Sequence, residues 1–319
     1  MNNQTYDTII IGSGPAGITA GIYAVRREMK ALVIGKEPGG QVVWASEVEN
    51  YPGFKKINNI ELITKWNDHA KGLGVEFRTE EIQRIEKSDN GFILYASKEK
   101  YQTKTVIIAM GLVPRRLAIP GEEEYIGKGI SYCANCDSPF YREKQVAVVG
   151  GGNAALDAAE ILSKIAKQVY LIHRREDFRG FEALVEEVKS KKNIELVLNS
   201  EAKEIIGNER VTAIKVVNKE KEEKEITVDG IFIEIGRIAH TDLVADLVER
   251  TKQKQIIVDD KCRTKTPGLF AAGDVTTTPY KQITIAMGQG TIAALAAYEF
   301  IQLRQGNDIG PILDRSVKK

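Results

Sequence analysis

An α/β chain of two three-layer domains, the second inserted in the first, is what this sequence predicts, and three observations predict it. The apolar run Thr8-Ile9-Ile10-Ile11 leads straight into Gly12-Ser13-Gly14-Pro15-Ala16-Gly17. A second run, Gln145-Val146-Ala147-Val148-Val149, leads into Gly150-Gly151-Gly152-Asn153-Ala154-Ala155. Far downstream, Gly268-Leu269-Phe270-Ala271-Ala272-Gly273-Asp274 repeats a strand signal ahead of a long Ala-rich helix beginning near Ile283, so the first domain resumes after the second. Continuous apolar runs mark parallel strands buried on both faces. Glycines spaced in this way after such a strand mark the tight corner of a Rossmann-like unit, where a dinucleotide pyrophosphate rests on a helix N-terminus.

Within the first unit the helix is expected from Ala16 to about Glu28, and the next strand at Ala31-Leu32-Val33-Ile34. Gly12 makes the turn, Gly14 admits a pyrophosphate, and Gly17 lets helix and strand approach. The acidic residue that often follows the second strand is represented only by Glu37. Residues 38–41 and 47–53 read as loops, either lining a ligand or simply connecting. From about Val75 to Ala109, short alternating runs describe a small sheet that returns to a buried strand ending in Met110-Gly111. Two prolines between Leu112 and Gly121 read as a linker.

In the second unit a helix is expected over residues 154–165 and a strand over Gln168–Ile172. Where an NAD site would carry Asp or Glu, the chain has His173-Arg174-Arg175, with Arg179 a turn later. Arginines there suit a 2′-phosphate, which an acid would repel. The run Lys219–Glu225 reads as a solvated hairpin tip between strands at 213–217 and 226–235. Gly236–Thr241 reads as the return crossing.

Between the two glycine patterns lies Ser131-Tyr132-Cys133-Ala134-Asn135-Cys136-Asp137. A Cys-x-x-Cys pair can cycle between dithiol and disulfide with little backbone rearrangement. Only three cysteines are present, too few for a disulfide framework, and Cys262 with three scattered histidines makes a poor complement for a structural metal site. Nothing beside Cys262 would activate it, and it reads as structural.

A length of 319 residues exceeds one ordinary core, and 43% hydrophobic with 28% charged residues describes a soluble globular chain. The net charge of +1 supplies no field to recruit nucleic acid or an anionic membrane. No apolar run approaches the ~20 residues a spanning helix needs. The start, Met1–Asp7, carries neither a basic leader nor an apolar signal core, which predicts a cytoplasmic protein.

Taken together, these motifs resemble the low-molecular-weight thioredoxin reductases over essentially the whole chain. The residues that carry the likeness are 12–17, Gly39-Gly40-Gln41, Glu49-Asn50-Tyr51-Pro52-Gly53, Cys133–Asp137, Gly150–Asn153, His173–Arg179 and Ala272-Gly273-Asp274-Val275. Related disulfide reductases of the lipoamide dehydrogenase type carry their cysteines in the first domain; here they precede the second glycine pattern. The resemblance implies FAD in a discontinuous domain, residues 1–114 and 242–319, and NADPH in an inserted one, residues 115–241. FAD would meet Gly12, Gly14, Ala16, Gly17, Glu37, Gly40, Gln41, Asn50, Gly111, Gly273, Asp274, Gln282 and Ile283. NADPH would meet Gly150, Gly152, Asn153, Ala154, His173, Arg174, Arg175 and Arg179.

The resemblance further implies a homodimer and electron flow from NADPH through FAD to Cys133–Cys136, and on to thioredoxin or a thioredoxin-like or glutaredoxin-like protein. Cys136 would face the flavin and Cys133 would attack the partner. Asp137 is the candidate general acid/base, with a helix N-cap as its bland alternative. Because the cysteines and the nicotinamide need the same flavin face, a rotation about residues 113–119 and 236–241 is expected. Met110, Ser138, Lys281 and Ala239-His240 depart from the family pattern, and Lys281 lacks the planar fork of the usual Arg. Two other classes stay open: a flavin oxidase or donor to a peroxidase system, and a non-enzymatic redox sensor.

Overall fold

The computed structural model describes residues 5–44 and 47–307, with the side chains of residues 44, 47 and 136 outside that description. The expectations placed on residues 1–4 and on the tail from 308 therefore lie outside the described residues. The chain divides into two compact units, one comprising Met1–Val43, Glu47–Val113 and Ile238–Lys319, the other Trp44–Ser46 and Pro114–Arg237.

The first unit opens with β1 (Thr5–Ile11), α1 (Pro15–Val25) and β2 (Ala31–Ile34). It continues through the short strands β3 (Glu47–Val48) and β4 (Ile57–Asn58), α2 (Asn59–Gly72), β5 (Glu76–Arg78), β6 (Ile82–Ser88), β7 (Gly91–Ala96) and β8 (Lys100–Ile108). The chain leaves this unit through β9 (Val113–Pro114).

The second unit holds β10 (Ile130–Ser131), α3 (Ala134–Asp137), β11 (Gln145–Val149), α4 (Asn153–Ser163), β12 (Gln168–Ile172), α5 (Glu182–Ser190) and β13 (Ile194–Val197). Strands β14 (Ser200–Gly207), β15 (Val211–Asn218), β16 (Glu223–Thr227) and β17 (Gly230–Ile233) follow. The return runs through β18 (Arg237–Ile238), and the first unit closes with β19 (Leu269–Ala271) and α6 (Ile283–Arg304).

In the first unit seven strands form one sheet in the order β5-β2-β1-β8-β7-β6, with β19 also on β8. The runs between Val75 and Ala109 are thus not a separate small sheet: β8 pairs parallel with β1 and antiparallel with β7, and β19 takes its last three residues. Every residue of β2 is buried, as are Ile9, Ile10 and Ile11 of β1, which is why these runs carry no polar alternation. Helix α1 stops at Val25 because residues 26–28 turn and Glu28 takes φ +60°. Of the stretches read as loops, 38–41 runs into a 3₁₀ helix at Gly40–Trp44 and 47–53 opens with β3, which pairs with β4.

In the second unit a parallel sheet runs β10-β17-β11-β12-β13, beside an antiparallel sheet β14-β15-β16. The hairpin tip is shorter than expected. Asn218 accepts the N–H of Glu222 and of Lys221, so the turn closes by 222 and Glu223–Glu225 belong to β16. Nor is 226–235 one strand. Asp229 exchanges hydrogen bonds with Gln145, pulling the chain off β16 and onto the edge of β11 as β17. Ala239 and Thr241, expected as part of the inserted domain, are buried in the first unit, where Thr241 donates to the Lys254 carbonyl at 2.6 Å. Among the described residues no helix is long and apolar enough to cross a membrane.

The corner between β1 and α1 leaves no room for a side chain. Gly12 sits at φ +116°, and a methyl group there would strike the carbonyl of Ala109, itself tied to the sheet by a 2.7 Å bond from its N–H to Ile11. Gly12→Ala combines positive-φ strain with a clash against fixed backbone, about 3 kcal/mol or more. A fall in thermal midpoint of at least ~5 °C is expected by differential scanning fluorimetry; an unchanged midpoint would contradict the steric argument.

Candidate functional site

In the first unit the residues expected at FAD come from segments far apart in sequence. Gln41 Nε2 donates to Asp274 Oδ2 at 3.0 Å, and Asn50 Nδ2 donates to Gln282 Oε1 at 3.2 Å. Gly111 lies against Gln41: a methyl on it would come 3.3 Å from Gln41 Nε2. The glycine segments also face each other, since a methyl on Gly14 would touch the Gly40 Cα at 3.7 Å. Ala16 is buried beside Gly273, Glu37 is exposed after β2 and accepts the Ser13 hydroxyl through its carbonyl, and Ile283 opens α6 after the N-cap Gln282.

Two neighbours brace this unit: Gln289, which had no signal in the sequence, and Lys281, which the sequence marked only as a departure from the pattern. Gln289 Oε1 accepts the N–H of Gly273 at 2.8 Å and the Thr276 hydroxyl at 3.2 Å, fixing the turn that carries Asp274. Lys281 Nζ donates to the carbonyls of Asp274 and Thr276 at 3.0 and 2.8 Å. Burial lowers its pKa and the Asp274 charge opposes that, so its ammonium acts here as a brace for backbone.

In the second unit Gly150, Gly152, Asn153 and Ala154 form the corner between β11 and α4. The Asn153 side chain accepts the N–H of Phe181 at 2.8 Å, and the Gly151 carbonyl accepts the N–H of Arg179 at 2.8 Å, so the arginine loop folds back onto the glycine turn. Arg174 and Arg179 are exposed and Arg175 partly so, whereas the His173 ring is buried. That ring fills the space a Cβ on Gly151 would need, stacks on Phe178 at 5.3 Å and bonds the Asp177 carbonyl at 3.1 Å. Burial pushes its pKa down, Arg175, Arg174 and Arg179 push the same way, and the Asp177 contact resists. His173 is therefore a neutral wedge that shapes the loop, and the charge belongs to the arginines.

The cysteine stretch lies in the same unit. Ser131 braces it, its hydroxyl accepting the Cys133 N–H at 3.0 Å and donating to the Cys133 carbonyl at 3.2 Å. Cys133 is disulfide-bonded, and Cys262 is a free thiol. The backbone of Cys136 lies in α3; the role expected of its side chain lies outside the described residues. Asp137 ends α3 with its N–H on the Cys133 carbonyl at 3.2 Å. It stands at the N-cap of the 3₁₀ turn Ser138–Tyr141 without a side-chain cap bond, so capping does not account for it.

Ahead of Cys133, the buried Glu122 carboxylate accepts the N–H groups of Leu117 and Ala118 at 3.0 and 2.6 Å and the Tyr132 hydroxyl at 2.7 Å. Arg116 donates to the same hydroxyl at 2.7 Å. Burial, then Glu122, push the Tyr132 phenol up to about 12. No local sequence pattern announces this cluster.

Fold and site together define a class: an α/β chain with two strand–glycine–helix corners and a disulfide-bonded cysteine ahead of the second. The chain belongs to the pyridine nucleotide-disulphide oxidoreductase family, whose model matches residues 6–290. It is 37% identical over 306 residues to a subunit of alkyl hydroperoxide reductase in Pseudomonas putida, covering 93% of this chain and 58% of that protein's length. It is 38% identical to the thioredoxin reductase of Helicobacter pylori over 93% of this chain and 99% of the relative. Among solved structures, Lactococcus lactis thioredoxin reductase superposes with a TM-score of 0.84 at 39% identity, covering 93% of this chain and 99% of that one.

Cys262 is 2% exposed, and its Sγ lies 3.6 Å from the Gln289 carbonyl. Burial, with Asp259 and Asp260 adding to it, pushes its thiol up to about 12. At pH 8 such a thiol is roughly 10³-fold less ionised than an ordinary one. Native protein is expected to leave Cys262 unmodified by iodoacetamide while the denatured chain is labelled there; peptide mass spectrometry showing equal labelling would refute its inert role.

Proposed function

We propose that this chain is an NADPH-dependent flavoprotein disulfide reductase whose partner is thioredoxin or a thioredoxin-like protein. The observation that carries the reading is Cys133-x-x-Cys136, with Cys133 in a disulfide, set on the strand–loop–helix just ahead of the second glycine corner. Membership of the pyridine nucleotide-disulphide oxidoreductase family supports it.

The donor sets suit both nucleotides. In the first unit the facing glycine backbones, the Gln41–Asp274 pair and the Asn50–Gln282 pair offer N–H groups, amides and one carboxylate, the complement of a pyrophosphate and a polyhydroxyl chain. Gly12, Gly14, Ala16, Gly17, Glu37, Gly40, Gly111, Gly273 and Ile283 complete that set. In the second unit nothing lies within 4 Å of a methyl group built on Gly152, leaving space over the turn onto which the loop carrying Arg174, Arg175 and Arg179 folds back. When bound, FAD would supply the two-electron carrier between a nicotinamide and the disulfide.

The chain's own residues then do the following. Arg174 and Arg175 select the 2′-phosphate, and the His173 wedge holds their loop in place. Cys133, once reduced, attacks the partner's disulfide, and Cys136 displaces the partner from the mixed disulfide. Asp137 delivers the proton to the departing thiolate. The inserted domain pivots at residues 113–119 and 236–241, the protein works as a homodimer, and it acts in the cytoplasm. A second reading, an electron donor to a peroxidase system, is favoured by the likeness to the Pseudomonas putida protein.

Anaerobic addition of NADPH is expected to consume about two hydride equivalents per flavin, falling to about one in Cys133→Ser. A single equivalent in the unaltered protein would refute the relay, and turnover with a peroxidase but not with thioredoxin would select the second reading. Replacing Arg174 and Arg175 by Ala is expected to raise KM for NADPH roughly 10- to 100-fold while leaving NADH unchanged. Equal losses with both nucleotides would show that these residues are structural.

A further inference from the structure

Glu234 follows β17, where ligands of open parallel sheets gather at the carboxyl ends of the strands. Its N–H donates to the Val149 carbonyl at 2.8 Å, and its own carbonyl packs against Gly150 where a Cβ would otherwise sit. The partly buried side chain reaches α3 and accepts the N–H of Ala134, the residue immediately after Cys133. One carboxyl group thus joins the glycine corner of the second unit to the backbone between the two cysteines.

We propose that Glu234 is a positioning residue for the Cys133–Cys136 pair that holds the turn between them through Ala134 and binds a proton when the disulfide is reduced. The idea rests on the redox role proposed above for that pair. Two electrons and one proton, the equivalent of one nicotinamide hydride, break the S–S bond and leave one thiol and one thiolate. The new negative charge raises the proton affinity of the nearby carboxylate, which takes a second proton from solvent. Two electrons and two protons are then stored. Both protons leave when the partner's disulfide reoxidises the pair.

The surroundings of Glu234 poise it for this role. Burial raises its pKa to about 7, opposed by Arg237 on its own segment and by the Ala134 N–H, and reinforced by the Asp157 charge on α4. In the oxidised protein the carboxyl is therefore half-ionised near neutrality, and an added thiolate pushes its titration upward from there. The extra proton is taken up at a pH above about 7, between the oxidised and reduced titrations. Below that range Glu234 is protonated in both states and contributes nothing to the pH dependence.

The test equilibrates the protein as purified with reduced and oxidised glutathione between pH 6 and 8.5. Acid quenching, alkylation and intact mass then count thiols. The ratio of the wild-type equilibrium constant to that of Glu234→Gln is expected to change about three- to tenfold between pH 7 and 8, and to stay flat below pH 6.5. Gln keeps the acceptor for Ala134, so a purely structural role would leave that ratio constant with pH, which would overturn the inference. Glu234→Asp is expected to restore the pH dependence at least in part; a profile like that of Gln would also count against it. Should Glu234→Gln fail to fold, Arg237→Gln serves in its place, with the window expected to move to higher pH and an unmoved window overturning the proposal. A pair that exchanges with glutathione in neither protein removes the disulfide-reductase reading, and this inference with it.

Discussion

The central parallel strands are buried on both faces, and that constraint governs where chemistry can occur in this chain. The ends of β1 (Ile9–Ile11) and β8 and all of β2 in one unit, and β11 with β17 in the other, present almost nothing but Ile, Val, Leu, Ala and Phe. An ionised group inside such a layer would bear a desolvation cost of several kcal/mol. Polar and ionisable residues are therefore pushed to the carboxyl ends of the strands. In the first unit Gly12, Glu37, Gly111 and Asp274 follow β1, β2, β8 and β19. In the second, Cys133, Gly150, His173 and Glu234 follow β10, β11, β12 and β17. Each unit places its candidate functional groups along one edge for the same physical reason.

Continuous apolar runs made the strands legible. Ala31–Ile34 and Gln168–Ile172 were readable to the residue, and α6 begins where its Ala-rich run begins. The half-exposed segments were harder to read. Strands β13 and β14 and helix α5 mix Glu and Lys with Ile and Val because each has a solvated side, and no single period dominates. The charged run after Asn218 looks like a loop over its whole length, yet only its first residues turn. The rest is a strand whose side chains face water, and it is held by pairing with β15. Charge therefore reported exposure correctly while saying nothing about backbone conformation.

The candidate sites divide along the same line. Residues recognisable by spacing within a few positions, such as Gly12–Gly17 or Cys133–Asp137, could be named before the fold was known. Pairings across the chain could not. Gln41 and Asp274 are 233 positions apart, and Asn50 and Gln282 are 232 apart, so only the return of the chain through β18 makes them neighbours. Glu122 and Glu234 look like ordinary residues of a polar turn and a strand end. What sets them apart is the N–H groups they accept, which the sequence does not display.

Cys133 and Cys262 show how environment, rather than residue type, assigns a role. Cys262 takes φ +58° in a tight turn, buried under α6, with the charges of Asp259 and Asp260 adding to the effect of burial. Burial and negative charge both oppose a thiolate, so the sulfur serves as a small apolar filler. Cys133 is partly exposed, on a turn stapled by Ser131 from one side and closed by the Asp137 N–H from the other. A nucleophile, the role proposed for Cys133, needs access together with a fixed trajectory, and those two staples would supply the second without burying the sulfur. The neutral His173 follows the same logic on the nucleotide side. Burial, with three arginines beside it adding to the effect, makes a protonated imidazole unfavourable, so the ring can pack as an aromatic wedge while Arg174 and Arg179 stay exposed and Arg175 partly so. Where a group must react or bind, the fold leaves it partly wet and braces the backbone beneath it; where a group must only fill space, the fold buries it and removes its charge.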